Sequence, residues 1–80
     1  MELGEILKEL VCKIVDLPDE VQVSEVKASR SSIYEIKVNP EDIGKVIGKG
    51  GRTVNALTTI MTAAAGTQDR YITIEIIQPF

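Results

Sequence analysis

The residues with the clearest chemical potential lie together in the stretch KVIGKGGRTV, at positions 45–54. The stretch combines glycines with basic side chains and contains no acid: Lys45, Gly48, Lys49, Gly50, Gly51, Arg52. Glycine lets the chain reverse tightly and leaves the backbone uncovered, so that another backbone can approach it closely. The free N–H groups at the start of a following helix would favour phosphate. The stretch therefore predicts an anion-binding corner.

The distribution of charge supports an anionic partner more strongly than the net charge does. The chain carries 9 Lys+Arg and 12 Asp+Glu, which gives a formal net charge of -3. Residues 43–68 hold three of the cations and none of the acids, so six cations and twelve acids lie elsewhere. Segregated positive charge of this kind is typical of proteins that bind phosphate-rich ligands.

Composition excludes most catalytic and metal chemistry. The chain has no His, which removes the commonest general base and the commonest metal ligand. Its single cysteine, Cys12, cannot form an internal disulfide or a cysteine metal cluster. No hydroxyl residue has a recognisable base near it, so we expect no catalytic residues, no metal and no cofactor. Cys12 is interpreted as an incidental surface or partly covered thiol.

The length and the hydrophobicity pattern limit the classes of protein to which the chain can belong. The chain has 80 residues, so we expect one small domain over residues 1–80. It contains no apolar run of about 18 residues, as a membrane helix requires. The acidic N-terminal stretch MELGEILKEL does not resemble a signal peptide. The sequence thus predicts a soluble cytoplasmic domain.

The first half of the chain predicts a helix followed by a hairpin. Apolar residues at helical spacing predict an amphipathic helix over 3–17, and LPDE at 17–20 predicts the turn that ends it. Residues 21–28 predict a strand whose alternation breaks before Val26, which could mark a bulge. A polar loop over 29–32 leads to a strand over 33–38, with one inward face: Tyr34, Ile36, Val38.

The second half predicts two helices and a last strand. NPED at 39–42 is a strong helix start, with Asn39 as the cap, Pro40 at the first helical position and Asp42 in the first turn. A further helix runs from about Arg52 to Ala65, with a predicted buried stripe: Val54, Leu57, Met61, Ala64. Gly66 is its expected stop. The final strand covers 70–77 with its isoleucines facing inward: Ile72, Ile74, Ile76.

The predicted order is α-β-β-α-α-β, which gives an α+β fold. Three strands form one small sheet with the helices packed on one face. Because the last strand follows a helical crossover, it can lie parallel to one of the first two and give a mixed sheet.

Two phosphate-binding motifs fail at the glycine-rich stretch. For a P-loop, Gly44 and Gly48 are one residue too close, and Gly50 replaces the Ser or Thr that should follow Lys49. A dinucleotide fingerprint would need a third glycine where Thr53 stands. What remains is a turn over residues 48–51, here called the glycine loop, between two helices.

The string IGKVIGKGGRTVNAL resembles the KH-domain signature, which reads approximately I-G-x-x-G-x-x-[IV]. The matching positions are Ile47, Gly48, Gly51 and Val54. The resemblance extends over the whole chain, because α-β-β-α-α-β is the order of the type II KH fold. LPDEV, NPEDIGKVIGKGGRTV and the chain length are similar to the small bacterial single-KH proteins of the KhpA type.

This resemblance implies a non-catalytic protein that binds single-stranded RNA, such as an RNA chaperone or post-transcriptional regulator. KH domains clamp the backbone of about four nucleotides with the GxxG loop. Carried over by position, the implied RNA-binding residues are Lys45, Ile47, Gly48, Lys49, Gly50, Gly51, Arg52, Val54. Whether Ile47 and Val54 line the groove or only the core stays open at this stage.

The helix after the glycine loop departs from the family pattern. Its outer positions carry no further Lys or Arg, so we expect modest affinity for RNA. The same neutral surface has an apolar edge that could contact a partner: Ala56, Ile60, Ala63. The resemblance implies pairing with a second copy or with a Jag-type KH protein (KhpB). An alternative function is therefore a dimerisation or adaptor module in which RNA binding is secondary, and ordinary surface or core edge is a third interpretation.

Overall fold

The computed structural model describes residues 2–66 and 70–78. The helices are α1 (Leu3–Ile14), α2 (Ile43–Ile47) and α3 (Arg52–Ala65), and the strands are β1 (Gln22–Lys27), β2 (Ser31–Lys37) and β3 (Tyr71–Ile76). The predicted α-β-β-α-α-β order is confirmed. The ends of the predicted domain, and the acid-free window beyond Gly66, lie outside the described residues. Within the described ranges, no helix is long and apolar enough to cross a membrane.

The strands form one mixed sheet in the order β1-β2-β3. The first pair is antiparallel, from Gln22 opposite Lys37 to Lys27 opposite Ser32, and β3 runs parallel to β2. This register is continuous, so the predicted bulge before Val26 is wrong. Val26 interrupts the alternation because it pairs with Ile33 on the outer face of the sheet, where it is 51% exposed.

The helices cover the other face of the sheet and enclose one core. The central strand contributes the buried side chains of Tyr34 and Ile36, and Val38 follows directly after it. The helices add residues spaced at helical intervals: Leu7, Val11, Val46, Leu57, Met61, Ala65. Two members of the stripe predicted for α3 are wrong: Val54 is only half-buried and lies outside the core cluster, and Ala64 is off by one position. Ala65 continues the spacing of four residues from Leu57 and Met61, whereas Ala64 is exposed.

The first helix ends at Ile14 rather than at 17 because a distant carboxylate captures the next amide groups. Val15 is already extended, with ψ 161. Leu17 precedes a proline, which disfavours a helical conformation there. The backbone N–H groups of Asp16 and Leu17 donate to Oδ1 and Oδ2 of Asp42, each at 3.1 Å. Asp42, which is 1% exposed, therefore connects the end of α1 to the start of α2.

An arginine anchors the hairpin to β3. The predicted loop over 29–32 is shorter than expected, since Ser31 and Ser32 belong to β2. Arg70 Nη2 donates to the carbonyl oxygens of Ala28 and Ser31, each at 2.9 Å, and its Nε donates to Ser32 Oγ at 3.3 Å. These bonds hold the start of β3 against the hairpin turn and give the buried Ser32 hydroxyl a partner.

Candidate nucleic-acid interface

The helix that precedes the glycine loop is short and fixed at both ends. Asn39 Oδ1 accepts a hydrogen bond from the N–H of Glu41 at 2.9 Å, which confirms the predicted cap. The 3-10 turn Pro40–Asp42 then leads into α2, and the fully buried Val46 anchors this helix to the core. These contacts set the position from which the glycine loop departs.

The glycine loop uses backbone conformations that side chains rarely adopt. Three of its residues have positive φ: 77° at Gly48, 63° at Gly50 and 80° at Gly51. The N–H of Gly51 donates to the carbonyl of Gly48 at 3.1 Å and closes the turn. L-residues with side chains pay a steric cost in this region, which explains why glycine stands at these positions.

Gly48 and Gly50 have different surroundings. A Cβ on Gly48 would collide with Thr53 Oγ1 and lie 2.7 Å from the Thr53 backbone nitrogen, so Gly48 permits close packing against α3. A Cβ on Gly50 would meet nothing within 4 Å. Gly48 thus has a packing role, whereas Gly50 leaves an uncovered backbone facing solvent.

Two cations beside the loop are available to an anion. Lys49 and Arg52 are exposed, and within residues 2–66 and 70–78 neither side chain forms an ion pair. The first turn of α3 begins at Arg52 and has no side-chain cap. The N–H groups of Gly51 and Arg52 already donate to the carbonyls of Gly48 and Lys49, so it is the positive end of the helix dipole that favours a bound anion here. The corner therefore suits a phosphate.

Lys45, unlike Lys49 and Arg52, is already paired with carboxylates. Its Nζ pairs with the Asp16 carboxylate and lies 3.6 Å from Asp42 Oδ1. The hydrogen bond that Lys45 donates to Asp16 raises the pKa of Lys45 above its ordinary value, although partial burial opposes this shift. Burial alone would raise the pKa of Asp42, but the N–H groups of Asp16 and Leu17, together with Lys45, hold it below its ordinary value.

The two apolar residues that flank the loop are partly accessible. Ile47 and Val54 are half-buried, and neither is part of the core cluster or among the hydrophobic residues packed against it. Both side chains are therefore partly accessible beside the loop.

The outer face of α3 is neutral after Arg52. Threonine hydroxyls donate to backbone carbonyls one turn earlier: Thr58 to Val54 at 2.9 Å and Thr62 to Thr58 at 2.8 Å. The predicted partner edge is exposed: Ala56, Ile60, Ala63. Its largest side chain, Ile60, is 45% exposed. This surface offers hydrophobic contact and no charge for phosphate.

Neither Cys12 nor any group of possible metal ligands among the described residues adds a reactive or metal-binding site to the loop. Cys12 is half-buried, packs against the edge of the core and has its Sγ 3.8 Å from the Pro18 carbonyl oxygen. In the described part of the chain, no group of three or more His, Cys, Asp or Glu residues could hold a metal ion.

Sequence reasoning missed the carboxylates that hold Lys45. Asp16 lies 29 residues from Lys45, and its backbone N–H lies 26 residues from its acceptor Asp42. No local periodicity reports contacts at such separations. The spacing of three residues between Asp42 and Lys45 was a local signal, because such residues are neighbours on a helix, whereas no pattern identifies Asp16 among the acids of the chain.

Comparisons with known proteins identify a family that covers nearly the whole chain. A family model described as KhpA/KhpB, KH domain, matches residues 4–76. The chain is 49% identical to the RNA-binding protein KhpA of Clostridium acetobutylicum, over 94% of this chain and 100% of the relative. It is 45% identical to the RNA-binding protein KhpA of Caldanaerobacter subterraneus, over 94% and 100%. The corresponding protein of Chlamydia pneumoniae is 38% identical, over 95% and 97%. No solved structure matches the chain.

Proposed function

Because the chain belongs to the KhpA/KhpB family of KH domains, we propose that it binds single-stranded RNA through the glycine loop. The three relatives described above are named as RNA-binding proteins, so this is a family of binding proteins rather than of enzymes. A cytoplasmic role as an RNA chaperone or post-transcriptional regulator is part of the proposal and rests on the resemblance alone.

The proposal is supported above all by the uncovered backbone of the glycine loop, which lies beside two cations that form no ion pair among the described residues. A phosphate can approach Gly50 closely, because no side chain covers it and a Cβ there would meet nothing within 4 Å. Lys49 and Arg52 supply positive charge on either side, and the start of α3 adds the positive end of its helix dipole. Ile47 and Val54 then provide apolar surface for the bases next to the clamped backbone.

The small number of available cations limits the affinity. Each phosphate contact on a single strand contributes about 0.7 to the slope of log affinity against log salt. Contacts from Lys49 and Arg52 alone give a slope of about 1.4, and a third contact from Lys45 gives about 2.1. We therefore expect weak binding by the isolated chain and a shallow dependence on salt.

The test of RNA binding is the double variant Lys49→Asp/Gly50→Asp. Lys49 is exposed, the position of Gly50 has room for a side chain, and aspartate tolerates left-handed backbone better than most residues. The fold should therefore survive while two acids face the phosphate site. We expect RNA binding to be lost in fluorescence anisotropy titrations with single-stranded oligonucleotides.

A control variant separates local contact from net charge. Lys8→Asp/Lys13→Gln makes the same overall change in charge on exposed positions of α1. It should reduce affinity much less than the loop variant. Unchanged RNA affinity in a folded loop variant, or equal losses in both variants, would contradict the proposal.

A second candidate function is pairing with another KH protein, and the neutral edge of α3 favours it. Ala56, Ile60 and Ala63 are exposed along one side of the helix and lack charges that would oppose close contact. The partner would be a second copy of the chain or a Jag-type KH protein (KhpB). Pairing would place two weak RNA sites in one particle, which raises avidity without new contacts at either site.

Sedimentation of Ile60→Asp tests the pairing. A buried charge at the centre of the contact should shift the chain towards the monomer, whereas Thr62→Asp on the same helix serves as a control outside the edge. A wild-type chain that stays monomeric at high concentration and recovers no KH partner would contradict this second function.

A further inference from the structure

Lys45 lies beside the glycine loop, but its charge is already engaged by two carboxylates of different character. Asp42 is fixed, because it is 1% exposed and both of its oxygens accept backbone N–H groups. The Asp16 side chain is 75% exposed and follows the end of α1. Lys45 therefore has one permanently placed carboxylate partner, Asp42, and one that solvent can reach, Asp16.

This difference decides which contact a ligand can replace. Exposed ion pairs contribute little, because water and salt compete with them. A phosphate that approaches Lys45 can take the place of the Asp16 carboxylate while Asp42 stays in position. Counterions released from the RNA favour this exchange, since each neutralised phosphate releases part of its ion atmosphere.

We infer that Asp16 competes with RNA phosphate for Lys45 and so lowers the affinity of the glycine-loop site. The inference rests on the proposed RNA-binding function and adds a residue that the loop motif does not contain. Only the fraction of molecules in which Asp16 has released Lys45 makes the third phosphate contact. The apparent affinity is reduced by that fraction.

The competition also favours extended ligands over isolated anions. Free inorganic phosphate must displace Asp16 without help from neighbouring contacts. An oligonucleotide held at Gly50, Lys49 and Arg52 presents its next phosphate to Lys45 at a high effective concentration. Asp16 thus acts as a specificity-determining residue for a continuous phosphate backbone.

The variant Asp16→Asn tests the inference with little change in shape. It removes the carboxylate charge but keeps the backbone N–H that donates to Asp42. We expect RNA to bind about 1.5- to 5-fold more tightly at low salt, the range that an exposed ion pair contributes. Damage to the fold would weaken binding, so the sign of the change separates competition from a structural role.

Two further variants complete the experiment. Asp19→Asn removes an exposed acid that forms no ion pair with Lys45 and measures the general effect of net charge. In a Lys45→Met background, Asp16→Asn should improve binding no more than Asp19→Asn does. Tightening by Asp16→Asn that equals the Asp19→Asn control, or that persists without Lys45, would overturn the inference. Absence of wild-type RNA binding would instead refute the proposed function and this inference together.

Discussion

Replacing Gly48 by alanine should destabilise the protein far more than the same change at Gly50. Both residues have positive φ, 77° and 63°, so both substitutions place a Cβ on left-handed backbone. Only at Gly48 does the new atom collide, at 2.7 Å from the Thr53 backbone nitrogen and 2.8 Å from Thr53 Cβ. Thr53 lies in the first turn of α3, where the backbone cannot withdraw without moving the helix.

The two geometries give different magnitudes. At Gly50 the cost is the left-handed conformation alone, about 1–2 kcal/mol. At Gly48 the backbone lies in a region almost reserved for glycine, which costs about 1–3 kcal/mol. Overpacking against Thr53 adds about 1–3 kcal/mol, so the sum is about 2–6 kcal/mol. A domain of 80 residues has a free energy of unfolding of about 4–12 kcal/mol.

Urea unfolding of Gly48→Ala and Gly50→Ala, followed by circular dichroism, checks this difference. Gly50→Ala should remain folded with a modest fall in the midpoint, and its melting temperature should drop by about 4–8 °C per kcal/mol lost. Gly48→Ala should lose at least twice as much or fail to fold. Equal losses for the two variants would refute the assignment of Gly48 to packing and of Gly50 to an open backbone.

The remaining predictions concern the pH dependence of stability. The depressed pKa of Asp42 means that its contribution is present above its ordinary value of 3.8 and is lost as pH falls through the folded value. Asp42→Asn should therefore reduce stability at neutral pH and flatten the acid limb of a plot of urea midpoint against pH. Burial, followed by the negative charge of Glu25 and the hydrogen bond to it, raises the pKa of Tyr34 to about 12, so the contribution of Tyr34 is full below pH 10.0 and is lost towards pH 12. As the pH rises from 10.0 to 12, the urea midpoint of Tyr34→Phe should therefore fall less than that of the wild type. An identical fall in both proteins over this pH range would contradict this account.

The features that could be predicted from the sequence depend on local pattern. Alternation in β2 placed Tyr34 and Ile36 in the core, because neighbouring residues of a strand face opposite sides. The glycine loop was also predictable from local pattern. Gly48, Gly50 and Gly51 each have a positive φ, and glycine is the residue that adopts this conformation most easily. The neutral face of α3 also followed directly from composition along one helix.

The features that could not be predicted depend on contacts between distant segments. The end of α1 is set by Asp42, whose acceptor oxygens take the amide groups that would otherwise continue the helix. Lys45 was predicted as a phosphate contact, but its pairing with Asp16 follows from the packing of α1 beside α2. Val26 breaks its strand's alternation by facing outward, and only the register with Ile33 distinguishes that from a bulge.

The most direct test of the central claim is a titration of isotope-labelled protein with single-stranded RNA, followed by amide chemical shifts. We predict that the largest changes occur in the glycine loop and at Arg52, where the phosphate would meet the backbone. Amides of β1, at the far edge of the sheet from β3, should change little. Changes concentrated on β1, with the glycine loop unaffected at saturation, would contradict the account.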